Sequence, residues 1–64
     1  MRLRDALKLD NHDQVSVRTA PGKREFGIVI GRPKRFGDNE KRVFIDVLLD
    51  SGAYMQCVPH TDIG

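Results

Sequence analysis

At 64 residues the chain is one small domain, and folding at this size buries only roughly 60% of the unfolded surface, so the core is small. Apolar residues make up 39% and charged residues 31%, a balance that excludes a disordered chain and suits a globular one. A formal net charge of +2, one cysteine and no apolar run near the ~20 residues of a membrane span lead to the expectation of a non-membrane protein in a reducing, cytoplasmic setting.

The first predicted element is a short helix over Arg2–Leu9, in which Leu3, Ala6 and Leu7 share one face. So short a helix is stable only when docked. Asp10–Asp13 is a turn-forming cluster, and residues 1–12 are read as a helix and turn preceding a barrel over 13–64. Gln14–Thr19 alternates, with Val15 and Val17 on one face. Pro21-Gly22 supplies a turn, and a second strand is expected over Glu25–Gly31, where Gly27 suggests a bulge or sharp bend. Arg32–Arg42 reads as a long hairpin loop, because Pro33 argues against a continuing central strand.

The third strand, Val43–Leu49, carries its cleanest apolar set at Val43, Ile45, Val47 and Leu49. Asp50-Ser51-Gly52 forms a tight turn, and Ala53–Val58 is the fourth strand. Pro59–Ile63 reads as a helical turn whose Ile63 plugs one end of the core. Short strands, short turns and one long loop give a mainly β fold, a small antiparallel barrel of four to five strands with a short N-terminal helix and a C-terminal helical turn.

The order of these motifs resembles the SH3-like small barrels, particularly the KOW and Tudor-like group. The resemblance rests on Asp13-Gln14-Val15-Ser16-Val17, on Gly27-Ile28-Val29 closed by Gly31, on Val47-Leu48-Leu49-Asp50-Ser51-Gly52, and on Asp62-Ile63. It implies a fifth strand after the helical turn, which here is either missing or supplied by the amino-terminal segment or a second subunit. Phe26–Gly31 after a short helix is also similar to the Sm-like barrels, although no Sm-type RNA-binding motif is present. A looser similarity joins the chain to the SH3-like subunits of photosynthetic electron-transfer complexes.

Charge is unevenly spread. From Lys23 to Arg42 seven cations stand against three carboxylates, a formal +4, whereas Val43–Gly64 holds no Lys or Arg and three aspartates. Lys23, Arg24, Arg32, Lys34, Arg35, Lys41 and Arg42 are therefore the candidate contacts to nucleic acid or an acidic protein, with Phe36 placed to stack on an unpaired base. The bland alternative is that these cations are solvated and Phe36 covers the barrel mouth. Self-association through the second face of Val43–Leu49, which carries Phe44 and Leu48, is a third possibility. Tyr54 offers either a protein anchor or a cover for the core rim.

No catalytic residue, metal site or cofactor is expected. Cys57, His12 and His60 fall short of the four ligands of structural zinc. Cys57, His60 and Asp62 hold the residue types of a nucleophilic site, but residues three apart at a strand end seldom face one another across a substrate. Asp46 and Asp50 share a strand face about 13 Å apart, too far for paired carboxylates in glycoside cleavage. Asp46 is expected to face water or to pair with a cation on a neighbouring strand, Cys57 to be buried, and His60 to lie at the surface or cap the final turn.

Overall fold

The computed structural model describes residues 1–35 and 42–64. Four antiparallel strands, β1 (Gln14–Ala20), β2 (Lys23–Lys34), β3 (Phe44–Leu49) and β4 (Tyr54–Pro59), form one sheet in the order β1-β2-β3-β4. The sheet curls into a half-barrel, compatible with an SH3-like fold. One helical turn, α1 (Leu3–Ala6), precedes it, and a 3-10 turn, η1 (His60–Asp62), follows.

The core is built from the residues that alternation sends inward: Val15 and Val17 of β1, Val29 of β2, Ile45, Val47 and Leu49 of β3, and Val58 of β4. Ala6, Val43 and Ile63 complete it, with Met1, Leu3, Leu9 and Met55 packed at its margin. Ile63 is 1% exposed, in keeping with its expected place at one end of the core. Its backbone does more than cap. Val17 bridges to Ile63, and Ser16 and Gly64 exchange backbone hydrogen bonds, Gly64 N–H to Ser16 O at 2.8 Å and Ser16 N–H to Gly64 O at 3.4 Å. The last residues thus stand where the resemblance required a fifth strand, covering part of the β1 edge. The Met1 nitrogen donates to the Ile63 carbonyl on the same side.

Several expectations need correction. The helix closes after one turn, not over Arg2–Leu9, so Leu7 is exposed and Leu9 packs against the core in its stead. β2 does not stop at Gly31. It runs to Lys34, because the ladder to β3 slips between Ile30 and Lys34 and the irregular stretch accommodates both Pro33 and Gly31, at φ +79°. Asn11 Oδ1 accepts the Gly31 N–H at 2.8 Å, and the Asp10–Asp13 turn continues the pairing through His12 N–H to Val29 O and Val29 N–H to Asp13 O.

Gly27 is not at a bulge. It pairs in regular register with Val15 and Leu49, and its requirement is steric: a Cβ there would lie 2.6 Å from the Leu48 carbonyl oxygen and 2.8 Å from Val47 Cγ1. The missing side chain lets β3 approach where the sheet curls.

The bulge missed by sequence reading lies in β4. Ile45 pairs with Val58 and Val47 with Met55, so Gln56 and Cys57 together oppose Asp46. Cys57 adopts φ +56°, rare for a residue with a side chain. The extra residue restores both Met55 and Val58 to the core side, which strict alternation would forbid, and turns Cys57 outward. Cys57 is therefore exposed, contrary to expectation. His60, expected at the surface or as a cap of the final turn, is buried at 8% exposure: its carbonyl accepts the Ile63 N–H that closes η1, and its Nδ1 accepts the N–H of buried Val43 at 3.2 Å.

Among the described residues, no helix is long and apolar enough to cross a membrane.

Candidate binding surface

Because the inward set of each strand fills the core, the alternate set forms an outer face. β1 contributes Gln14, Ser16 and Arg18, β2 contributes Arg24, Phe26, Ile28 and Ile30, β3 contributes Asp46 and Leu48, and β4 contributes Tyr54. The ladders set their neighbours. Arg18 lies opposite Arg24, Ser16 opposite Phe26, and Gln14, Ile28, Leu48 and Tyr54 form one row across the four strands. Phe26 is 59% exposed and Tyr54 48% exposed, with half-buried Ile28 and Leu48 between them.

The cations singled out from sequence divide into two groups at opposite ends of β2. Lys23 and Arg24 open the strand beside the Pro21-Gly22 turn, paired with Ala20 and Arg18 of β1. Arg32, Lys34 and Arg35 lie at its far end, with Arg42 on the approach to β3, and all four are exposed. Residues 25–31 of β2 lie between Arg24 and Arg32, about 26 Å if straight, so the two groups do not form one cluster. Phe36 and Lys41 lie outside the described residues.

Lys34 is already engaged. Its Nζ lies 2.7 Å from Asp46 Oδ2, the only ion pair among the described residues. Asp46 also accepts the Cys57 N–H at 2.9 Å and the Tyr54 hydroxyl at 3.4 Å. Asp46 thus pairs with a neighbouring-strand cation, as expected, but it does not face water, since its side chain is 7% exposed. The Lys34 hydrogen bond, then the Cys57 amide, hold its carboxyl below the usual aspartate range, against a smaller opposing effect of burial. The same hydrogen bond and the charge of Asp46 raise the Lys34 ammonium above the usual lysine range. That ammonium is half exposed, so water screens most of the attraction.

Among the described residues, no carboxylate lies within ion-pair distance of Arg18, Lys23, Arg24, Arg32, Arg35 or Arg42. Arg24 is oriented all the same: its Nε donates to Ser16 Oγ at 3.2 Å, and its guanidinium covers Gly64 so closely that a Cβ there would collide with it. Arg18 and Phe26 were not among the sequence-derived candidates. Alternation placed Arg18 on the outer face, but nothing local marked Phe26, which stands in an apolar run that reads as core.

No group of three His, Cys, Asp or Glu converges among the described residues, and these residues enclose no pocket. No protein-family model, curated protein or solved structure matches the chain.

Proposed function

We propose that this protein is a non-enzymatic binding module, an SH3-like barrel of the KOW and Tudor-like type, that contacts nucleic acid through the cations of β2 and its flanks. The observation that supports this reading is the uncompensated charge at both ends of that strand: Lys23 and Arg24 at one, Arg32, Arg35 and Arg42 at the other, all exposed. Guanidinium groups with no carboxylate partner among the described residues are suited to neutralise phosphates and release their counterions. Lys34 belongs to the fold's own ion pair and has a minor part. Phe36 and Lys41 remain members of the proposed surface by their place in the sequence. A reducing, cytoplasmic setting accords with the exposed free thiol of Cys57.

A second reading, docking of an acidic protein, draws on the Ile28–Leu48–Tyr54 row, whose exposed tyrosine at the edge of an apolar strip has the composition of an interface anchor. The test is fluorescence anisotropy with labelled single- and double-stranded oligonucleotides at about 50 mM and about 200 mM salt. Binding should fall steeply with salt, and replacing Arg32, Arg35 and Arg42 together by Gln should flatten the log–log slope by about 2 to 3. No binding at the lower salt would refute the nucleic-acid reading.

A further inference from the structure

We infer that the outer face at the Arg18–Arg24 end of the sheet is a subsite for single-stranded nucleic acid, with one base stacked on Phe26 and an adjacent phosphate held between Arg18 and Arg24. This rests on the nucleic-acid reading above and adds to it the strandedness of the ligand and a place for it that the basic loop does not provide.

Three features of the face point the same way. First, Arg18 and Arg24 stand directly opposite each other across the β1–β2 ladder. Side chains so placed have Cβ atoms about 4.5–5.5 Å apart, and like charges there repel. Among the described residues, no carboxylate lies within ion-pair distance of either to relieve that repulsion. An anion bridging the two guanidinium groups would do so, and phosphate matches their planar forks.

Second, the neighbouring outward position on β2 is Phe26, a residue that is 59% exposed. Its partner across the ladder is Ser16, too small to cover it, and Ser16 is also the residue to which Arg24 Nε is bonded. The cation and the ring are thus fixed to one stretch of sheet, two residues apart, or about 7 Å along the strand. A charged contact and an open aromatic face at that spacing are the two elements that hold an unpaired nucleotide.

Third, no helix among the described residues is long enough to read a duplex, which leaves the sheet face to meet a base. α1 is a single turn of four residues, and the outer face is a sheet surface with no helix projecting from it to enter a major groove. Bases paired inside a duplex cannot reach Phe26, whereas unpaired bases can turn out onto it. The floor beside the ring, Ile28 and Leu48, is apolar and accepts any base without hydrogen-bond readout, so little sequence preference is expected. The same repulsion argues against a second copy of this chain as occupant, because face-to-face pairing would bring four arginines together.

The test uses the whole protein and four probes: labelled oligo-dT, labelled oligo-U, a mixed-sequence duplex of equal length, and poly-glutamate as a purely anionic polymer. Single strands should bind more tightly than duplex. Phe26→Ala should weaken oligo-dT and oligo-U binding about ten- to a hundredfold while changing duplex binding less than about twofold. Phe26→Trp should retain or tighten it. Because Phe26 is largely exposed, neither change should impair folding, which the urea midpoint verifies. Arg18→Gln with Arg24→Gln should lower the salt slope for single strands by about 1 to 2. The dT and U arms decide whether DNA or RNA is preferred.

Equal affinity for single and double strands, or wild-type single-strand affinity in Phe26→Ala, would overturn the subsite while leaving nucleic-acid binding itself intact. Poly-glutamate binding as tight as that of the oligonucleotides and indifferent to Phe26 would overturn it in favour of a charge-only surface. Failure of every oligonucleotide at low salt would instead remove the proposed function and the subsite together.

Discussion

Replacing Asp46 by Asn isolates the charge of one carboxylate at nearly constant shape. At neutral pH three interactions change, of which the long Tyr54 hydroxyl bond at 3.4 Å is the weakest. The bond from the Cys57 N–H at 2.9 Å goes from charge-assisted, about 1.5–3 kcal/mol, to neutral, about 0.5–1.5 kcal/mol. The Lys34 contact at 2.7 Å is lost as well, but the lysine side chain is half exposed, so water screens most of that attraction and its loss counts for little. Asp46→Asn should therefore destabilise by about 1–2 kcal/mol at pH 7, lowering the melting temperature about 4–8 °C per kcal/mol for a domain of this size. The pH dependence carries the sharper test. The folded-state pKa of Asp46 is depressed, so the carboxylate's contribution is fully present above the unfolded-state value near ~3.9 and is lost as pH falls through the folded value below it. Urea denaturation across this range should show the wild-type advantage over Asp46→Asn shrinking toward zero in acid, where protonated Asp and Asn are near-isosteres. Asp46→Ala should keep its deficit there, since it offers the Cys57 amide no acceptor. A gap between wild type and Asp46→Asn that stays constant with pH would show that the carboxylate's charge is not what holds the β4 bulge.

Three further substitutions probe the fold. Gly27→Ala should lower stability by about 1–3 kcal/mol or more in urea denaturation, because the new methyl meets backbone at 2.6 Å. Cys57→Gly should be neutral or stabilising by up to about 1 kcal/mol, since relief of left-handed strain at φ +56° competes only with glycine's unfolded-state entropy. Cys57→Val, stiffer at that φ, should melt well below wild type. His60→Ala should cost about 1–3 kcal/mol by thermal melting, as the buried Val43 N–H loses its acceptor.

The strands were legible where burial imposed strict alternation. Val43, Ile45, Val47 and Leu49 are all buried, as their spacing required, because one face of β3 sees only core. The turns at Gly22 and Gly52 were legible for a different reason: φ of +74° and +95° select glycine. What sequence did not display were the places where a long-range contact overrides local pattern. Pro33 reads as a strand breaker, yet the ladder slips around it. Gln56-Cys57 carries no glycine or asparagine to mark a bulge, and the conformation is held by a side chain eleven residues away in Asp46. Exposure at the surface was harder still. Phe26 sits in an apolar run, and only the pairing with Ser16 and the direction of the curl reveal that its ring lies outside the barrel. Lys23 and Arg24 were read as lying in a different turn from the Arg32–Arg42 loop, to join its patch only if both shared one side, and β2 carries the two groups to its opposite ends.

Cover of the β1 edge and placement of the proposed phosphate contact meet at one residue, and this gives a last prediction. Gly64 pairs through its backbone with Ser16, and Ser16 Oγ holds Arg24, whose guanidinium lies over Gly64. A methyl added at Gly64 would sit 2.9 Å from Ser16 Oγ and would also collide with the end of the arginine. Both obstacles are side-chain atoms that can rotate away, and Gly64 is exposed, so stability in Gly64→Ala should change by no more than about 0.5 kcal/mol. The guanidinium, however, cannot stay where it is. If its bond to Ser16 is what presents it beside Phe26, oligo-dT binding by Gly64→Ala should weaken and its salt slope should fall by up to about one, the loss of a single phosphate contact. Arg24→Gln alone should then reproduce the slope of Gly64→Ala, and the two together should add nothing, because both remove the same contact. Unchanged affinity in Gly64→Ala, or full additivity of the pair, would separate the end of the barrel from its outer face.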